Sequence, residues 1–172
     1  GTYSYSYDPT SAQLSRITAP DGNQLSYTYD GFLTTNSTIT GEITGSVDRI
    51  YDNAFRIESR SINGANTISY SYDNDSLFTQ AGSLSIAREV QKAGLINGTT
   101  LGSMTTTRTY NGFAEMNSFD ASYGGTSLYN TSYIRDKLGR ITQKVETIQG
   151  SNTTTNYTYD LAGRLITETT AG

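Results

Sequence analysis

Six aspartates recur along the chain, each ending a tyrosine-bearing phrase: Asp8, Asp30, Asp52, Asp73, Asp136 and Asp160. Carboxylates repeated in this way are open to three chemistries. They could ligate calcium. They could form the carboxyl pair of a glycoside hydrolase, which needs roughly 5 to 9.5 Å between the two groups. Or they could begin turns, where Asp accepts a hydrogen bond from the backbone two residues on. The same residue at the same place in every phrase points to the third. Asp73-Asn74-Asp75 has the opening spacing of a calcium loop, but no glycine follows at the required place and no glutamate closes it. The tyrosines could stack sugars; their constant register with the turns favours same-face packing between strands instead. Arg56, Arg140 and Arg164 each lie four residues after an aspartate and are placed to face it across the turn. With no histidine and no cysteine, the chain has no imidazole base, no Ser-His-Asp triad, no thiol nucleophile and no thiolate metal site. No catalytic, cofactor-binding or metal-ligating residue is assigned, and no enzyme activity is expected.

What must position these residues is a repeat. Tyr5-Ser6-Tyr7-Asp8, Tyr27-Thr28-Tyr29-Asp30, Ile50-Tyr51-Asp52, Tyr70-Ser71-Tyr72-Asp73 and Tyr157-Thr158-Tyr159-Asp160 are plain copies. Tyr133-Ile134-Arg135-Asp136 replaces the second tyrosine with arginine, and Thr109-Tyr110-Asn111 replaces the acid with its amide. The spacing is near 22 residues except for a long step from Asp73 to Asn111. Aligning Ala87-Arg88-Glu89 with Ile134-Arg135-Asp136 places a degenerate copy near 86–96 and makes about eight repeats.

Each repeat reads as strand, turn, strand. Tyrosines at i and i+2 share one face of an extended segment, which a helix would not allow. After the acid the chain resumes as Gly139-Arg140-Ile141 or Gly163-Arg164-Leu165, with Phe55-Arg56-Ile57 and Ala114-Glu115-Met116 as variants. Between repeats stand Pro20-Asp21-Gly22, Asn63-Gly64, Asn97-Gly98, Gly124-Gly125 and Gly150-Ser151-Asn152, which is hairpin-turn chemistry. Gly94 and the surrounding threonines argue against a helical turn over 90–96. No domain boundary is visible, so residues 1–172 read as one hairpin array.

Composition agrees with that reading. The chain has 172 residues, only 16% of them charged, and 14 tyrosines supply the apolar area that its few aliphatic side chains do not. Abundant Thr, Ser, Asn and Gly favour strands and turns over helices. An all-β protein of repeated antiparallel hairpins is expected. About sixteen strands exceed the roughly ten that an open twisted sheet holds without curling, so a curved, spiral single-layer sheet is favoured. A propeller would instead repeat at about twice the observed period. A net charge of -4 with scattered Lys and Arg gives no footprint for nucleic acid, and no apolar run is long enough for a membrane span. Starting at Gly1-Thr2-Tyr3 and ending at Ala171-Gly172, the chain reads as a fragment of a longer protein.

On these residues the sequence resembles the YD-repeat, or Rhs-repeat, family, found in bacterial Rhs polymorphic toxins, Tc toxin cocoon components and teneurins. Tyr157 to Leu165 matches the repeat unit closely, and Ile17 to Gly22 resembles the inter-repeat turn. The resemblance implies a β-hairpin shell that encapsulates a polypeptide such as a toxin effector, secreted or at the bacterial cell surface. It implies partners in the remaining YD repeats, paired through the sheet edges. The alternative is an adhesion module that binds glycans or a protein receptor. The self-cleaving core of the toxin shells is not carried over, because Asp8-Pro9-Thr10-Ser11 lacks the glycine of that signature. The strands around 3–7 and 165–170 carry few charges, so the isolated chain is expected to pair edge to edge.

Overall fold

The computed structural model describes residues 1–171, which divide into two compact units, Gly1–Tyr72 and a second beginning at Asp73. The first holds β1 (Ser4–Tyr7), β2 (Leu14–Thr18), β3 (Gln24–Asp30), β4 (Leu33–Thr40), β5 (Gly45–Tyr51), β6 (Ile57–Ile62) and β7 (Ala65–Tyr72). Each pairs antiparallel with the next in sequence. The second holds β8 (Phe78–Ala81), β9 (Leu84–Glu89), β10 (Leu95–Leu101), β11 (Met104–Tyr110), β12 (Met116–Tyr123), β13 (Thr126–Arg135), β14 (Ile141–Ile148), β15 (Ser151–Tyr159) and β16 (Leu165–Ala171). It too is an antiparallel meander in sequence order. The all-β, hairpin-repeat architecture expected from the tyrosine spacing is the one observed.

Turn chemistry accounts for the strand ends. Asn63-Gly64 and Gly124-Gly125 have positive φ at both central residues, as a tight two-residue hairpin turn requires. Pro20 to Gly22 turns on a 3.0 Å bond from the Gly22 N–H to the Ala19 carbonyl. Three local expectations are corrected. Asn97-Gly98 is not a turn: it lies inside β10 at a register shift, and the chain reverses at Gly102-Ser103. A side chain on Gly98 would come within 3.3 Å of the Thr106 carbonyl, so this glycine serves close strand approach. The last turn is Gln149-Gly150, with Ser151 already in β15. Val90–Lys92 does form a single 3-10 turn, ended by the left-handed Ala93 and Gly94, because two residues more than in a regular repeat loop must be accommodated.

No hydrophobic side chain is buried among the described residues; only Thr131 and Thr155 are. Stability must therefore come from neighbouring strands. Threonine pairs bridge them at Thr28 and Thr35 (2.9 Å), Thr99 and Thr106 (2.7 Å), and Thr158 and Thr167 (2.6 Å). Tyr27 and Tyr29 share a face with ring centroids 6.4 Å apart, half-buried, while the intervening Thr28 is exposed. Cross-strand contacts of this kind contribute roughly 0.2–1 kcal/mol each, so many are needed.

A bulge precedes the second tyrosine position of the repeat. The register slips between Ser6 and Tyr7, Thr28 and Tyr29, Ile50 and Tyr51, Thr109 and Tyr110, Ile134 and Arg135, and Thr158 and Tyr159. A bulge re-aims the side chain that follows it. Here it turns that side chain toward the preceding hairpin.

Candidate functional site

The repeated polar residues converge at the loop end of the hairpins. In the third repeat, Asp52 Oδ1 accepts the N–H groups of Ala54 (2.8 Å) and Arg56 (2.9 Å). The main chain adds two bonds, from the Asp52 N–H to the Arg56 carbonyl (2.8 Å) and from the Phe55 N–H to the Asp52 carbonyl (2.9 Å). Asp136 repeats this pattern through Leu138 and Arg140, Asp73 through Asp75 and Leu77, and Asn111 through Phe113 and Glu115. Asp160 accepts the Arg164 N–H at 2.8 Å. Asp8 holds a longer loop through the N–H groups of Thr10 and Ser11. Asp30 departs from the turn-forming role expected of it: it pairs with Leu33 in the ladder, and Gly31-Phe32 alone make a two-residue turn.

The third residue after the acid is left-handed in these loops, with φ +62° at Phe55, +64° at Ser76 and Ala114, and +81° at Gly139 and Gly163. Glycine adopts this conformation without strain, and the other three residues are held there by the loop. The same N–H bonds favour the ionised carboxylate. Backbone donation from Arg56 holds Asp52 below its ordinary value, as donation from Ser11 does for Asp8 and from Arg164 for Asp160; for Asp136 the leading cause is the Arg140 side chain.

The arginines reach across the turn. Arg56, Arg140 and Arg164 donate Nε to the Oδ2 of Asp52, Asp136 and Asp160 at 2.8, 2.7 and 2.7 Å. So anchored, the Arg56 guanidinium lies 4.4 Å from the ring centroid of Tyr72 in the next repeat, and Arg140 lies 4.7 Å from that of Tyr159. Arg140 also donates Nη1 to the Asp160 carbonyl at 3.4 Å. Each such arginine ties its own loop to the following hairpin by cation–π attraction.

Tyrosine hydroxyls return the connection. Tyr29 donates to the Leu14 carbonyl (2.8 Å), Tyr51 to Thr34 (2.9 Å), Tyr72 to Ile57 (2.8 Å), Tyr110 to Ile96 (2.6 Å) and Tyr159 to Ile141 (2.7 Å). Each acceptor pairs in the ladder with the second-tyrosine position of the preceding repeat: Leu14 with Tyr7, Thr34 with Tyr29, Ile57 with Tyr51, Ile96 with Arg88 and Ile141 with Arg135. Where the repeat has arginine instead of tyrosine, a guanidinium makes the same bond. Arg135 Nη2 donates to the Met116 carbonyl at 3.2 Å, and Arg88 Nε to the Phe78 carbonyl at 2.9 Å.

The amide-bearing repeat reverses polarity. Asn111 Nδ2 donates to Glu115 Oε2 at 2.6 Å, and that carboxylate faces Arg135 Nε at 3.9 Å. An arginine-over-tyrosine contact thus becomes an acid facing an arginine. Of the first tyrosines, Tyr133, with the Arg135 guanidinium 5.8 Å from its ring centroid, and Tyr157 line a shallow hollow of about 200 Å³ together with Tyr159 and Lys144, Tyr70 is half-buried, and Tyr5 is exposed. Among the described residues no three acidic side chains gather as a metal site, and no helix is long and apolar enough to cross a membrane.

The hydroxyl acceptors could not be read from sequence, because a backbone carbonyl carries no residue signature. One signal was available: the two repeats that lose the second tyrosine, at Arg88 and Arg135, replace it with another long donor.

An antiparallel meander whose hairpins are joined by recurring Asp, Arg and Tyr contacts defines a structural repeat array. The chain belongs to the Teneurin YD-shell family, whose profile matches residues 1–172. It is also similar to a chain in the crystal structure of TcdB2-TccC3-Cdc42, with TM-score 0.69, 17% identity and 95% of this chain covered. Similarity extends to the Photorhabdus luminescens Tc holotoxin pore carrying TccC3-D651A, with TM-score 0.70, 16% identity and 95% covered. The chain spans 10% of the length of each of those chains. No curated protein sequence matches it.

Proposed function

We propose that this chain is a non-catalytic stretch of a shell wall that encloses a polypeptide, such as a toxin effector, in a secreted or cell-surface protein. The observation that carries the reading is the recurrence of one seam, in which loop carboxylate, arginine and tyrosine hydroxyl serve to join hairpins. Polar groups used in this way hold a sheet together without a second layer, which is what a wall one sheet thick requires. Membership of the YD-shell family and the fold shared with chains of the Tc toxin structures support it. The seams also supply the rule by which further YD hairpins would continue the array.

Limited proteolysis of the full-length protein, followed by mass spectrometry, tests the proposal. An enclosed segment resists cleavage in the intact protein and is cut once the shell is opened with denaturant. Cleavage at equal rates before and after opening contradicts enclosure. Specific retention of a sugar by the purified chain, with no protected segment in the full-length protein, would favour the adhesion reading, with the hollow at Tyr133 and Tyr157 as the place to look.

A further inference from the structure

Two arginines face each other in the first unit with no acid between them. Arg49 of β5 and Arg60 of β6 are directly opposite in the ladder, so both side chains stand on one face of the sheet, each half-buried. Like charges placed in this way repel. Arg49 Nη1 donates to Ser37 Oγ at 3.1 Å, whereas Arg60 Nε is buried with no hydrogen-bond partner. Among the described residues no carboxylate pairs with either arginine, in contrast to Arg56, Arg140 and Arg164. Asp48 stands on the opposite face, held by Asn36 Nδ2 at 2.6 Å. Glu58 is exposed and is the bulge residue of β6, without a partner in β5. A buried donor left open costs free energy that a bound anion would offset.

Beside the pair and on the same face, Leu25, Ile39, Val47 and Ile62 line an apolar hollow of about 360 Å³. Val47 lies two residues before Arg49 on β5, and Ile62 two residues after Arg60 on β6. Each strand therefore presents an apolar side chain and a guanidinium roughly 6 to 7 Å apart, the spacing at which alternate residues of any extended chain project on one side. The strands β3 to β6 are interior, flanked by β2 and β7, so the arginines keep these surroundings however the array is continued.

We propose that this face is a docking site for an extended polypeptide segment that carries a large aliphatic residue and, two residues away, an aspartate or glutamate. The carboxylate lies between the guanidiniums, one oxygen accepting Arg60 Nε and the other accepting from Arg49, and the aliphatic side chain fills the hollow over Val47 and Ile62. Charge complementarity selects an acid, and the matched spacing selects an extended chain. The hollow on one sheet face suits a single aliphatic side chain rather than a long acyl chain, which needs enclosure. The inference rests on the arginine pair and not on the enclosure of a cargo.

The test is an NMR titration of the chain with the capped peptide acetyl-Thr-Leu-Thr-Glu-Thr-amide. Binding is expected to shift the Arg49 and Arg60 side-chain N–H resonances and to weaken as salt is raised. A peptide with Gln for Glu, and one with Leu and Glu adjacent, are each expected to bind roughly tenfold more weakly. Arg49→Met and Arg60→Met should each weaken binding by a similar factor while the thermal midpoint of the free chain stays level or rises, because the repulsion is gone. A purely structural role for the arginines would lower that midpoint instead. No binding by the wild-type chain, equal binding by either altered peptide, unchanged binding by the variants, or a lowered midpoint in both would overturn the proposal. Hexanoate binding at least as tightly as the peptide would also overturn it, by assigning the site to free aliphatic acids.

Discussion

Arg135 occupies the position of a tyrosine and donates its Nη2 to the Met116 carbonyl, the bond that Tyr159 makes to Ile141. The repeat therefore selects a long donor at this position rather than an aromatic ring as such. The ring becomes necessary where the preceding loop offers an arginine to cover it, as at Arg56 with Tyr72 and Arg140 with Tyr159.

That pairing can be exchanged. Glu115→Arg places a second guanidinium against Arg135 and removes the acceptor of the Asn111 amide, so the variant should unfold at lower urea concentration. Adding Arg135→Tyr supplies a ring for the new arginine, and adding Asn111→Asp restores its anchor. The triple variant should recover most of the loss, with a coupling energy of about 1 kcal/mol between positions 115 and 135. Additive effects would show that the two residues act independently.

Loop conformation gives a reciprocal pair. Gly163 has φ +81°, and a Cβ there would meet the Arg140 Nη1 at an ordinary contact distance of 3.8 Å, so Gly163→Val should cost ~1 kcal/mol or more chiefly through the backbone. Ala114 holds φ +64° with a Cβ, so Ala114→Gly should raise stability by roughly 0.5–1 kcal/mol. Urea midpoints measure both, and equal signs for the two changes would reject the left-handed assignment.

Replacing Asp160 with Asn keeps the Oδ1 acceptor and disturbs only a largely exposed arginine, so it should be nearly neutral. Asp136→Asn should lower the unfolding midpoint further, because Asp136 positions the arginine that covers Tyr159. If the two variants have equal midpoints, Arg140 does not depend on Asp136 for its place.

Acid should loosen these loops. Asp8, Asp52, Asp136 and Asp160 have folded-state values below the ordinary one near 3.9, so the unfolded chain takes up protons first as pH falls. Their contribution is whole above that value and lost as pH drops through the lowered ones. Thermal midpoints should fall below about pH 4, and less in Asp136→Asn. An identical acid profile in that variant would contradict the assignment.

Much of this was legible in the residues. The Tyr-x-Tyr-Asp phrase gave the strands, the turns and the facing of Arg140 to Asp136, because side-chain alternation and Asx turns are local rules. The degenerate repeat at Ala87-Arg88-Glu89 was found by alignment with Ile134-Arg135-Asp136, and Arg88 and Arg135 do make equivalent bonds. Asn97-Gly98 misled because its composition is that of a turn while its glycine serves close approach to Thr106. Asp30 misled because β3 runs through it: Asp30 pairs with Leu33 in the ladder, and the chain reverses at Gly31-Phe32 without the five-residue loop that Asp52 or Asp160 begins. The bulges before Tyr29 and Tyr159 left no mark, since a register slip is decided by partner strands, and with them the aim of the hydroxyls was hidden.

Tyrosine hydroxyls join a hairpin to the one before it at Tyr29, Tyr51, Tyr72, Tyr110 and Tyr159, and equilibrium urea unfolding of single Tyr→Phe variants tests this most directly. Tyr29→Phe, Tyr110→Phe and Tyr159→Phe should each lose about 0.5–1.5 kcal/mol, the net value of one hydrogen bond, while Tyr157→Phe, whose hydroxyl closes no seam, should lose almost nothing. Equal small losses at all four positions would contradict the account.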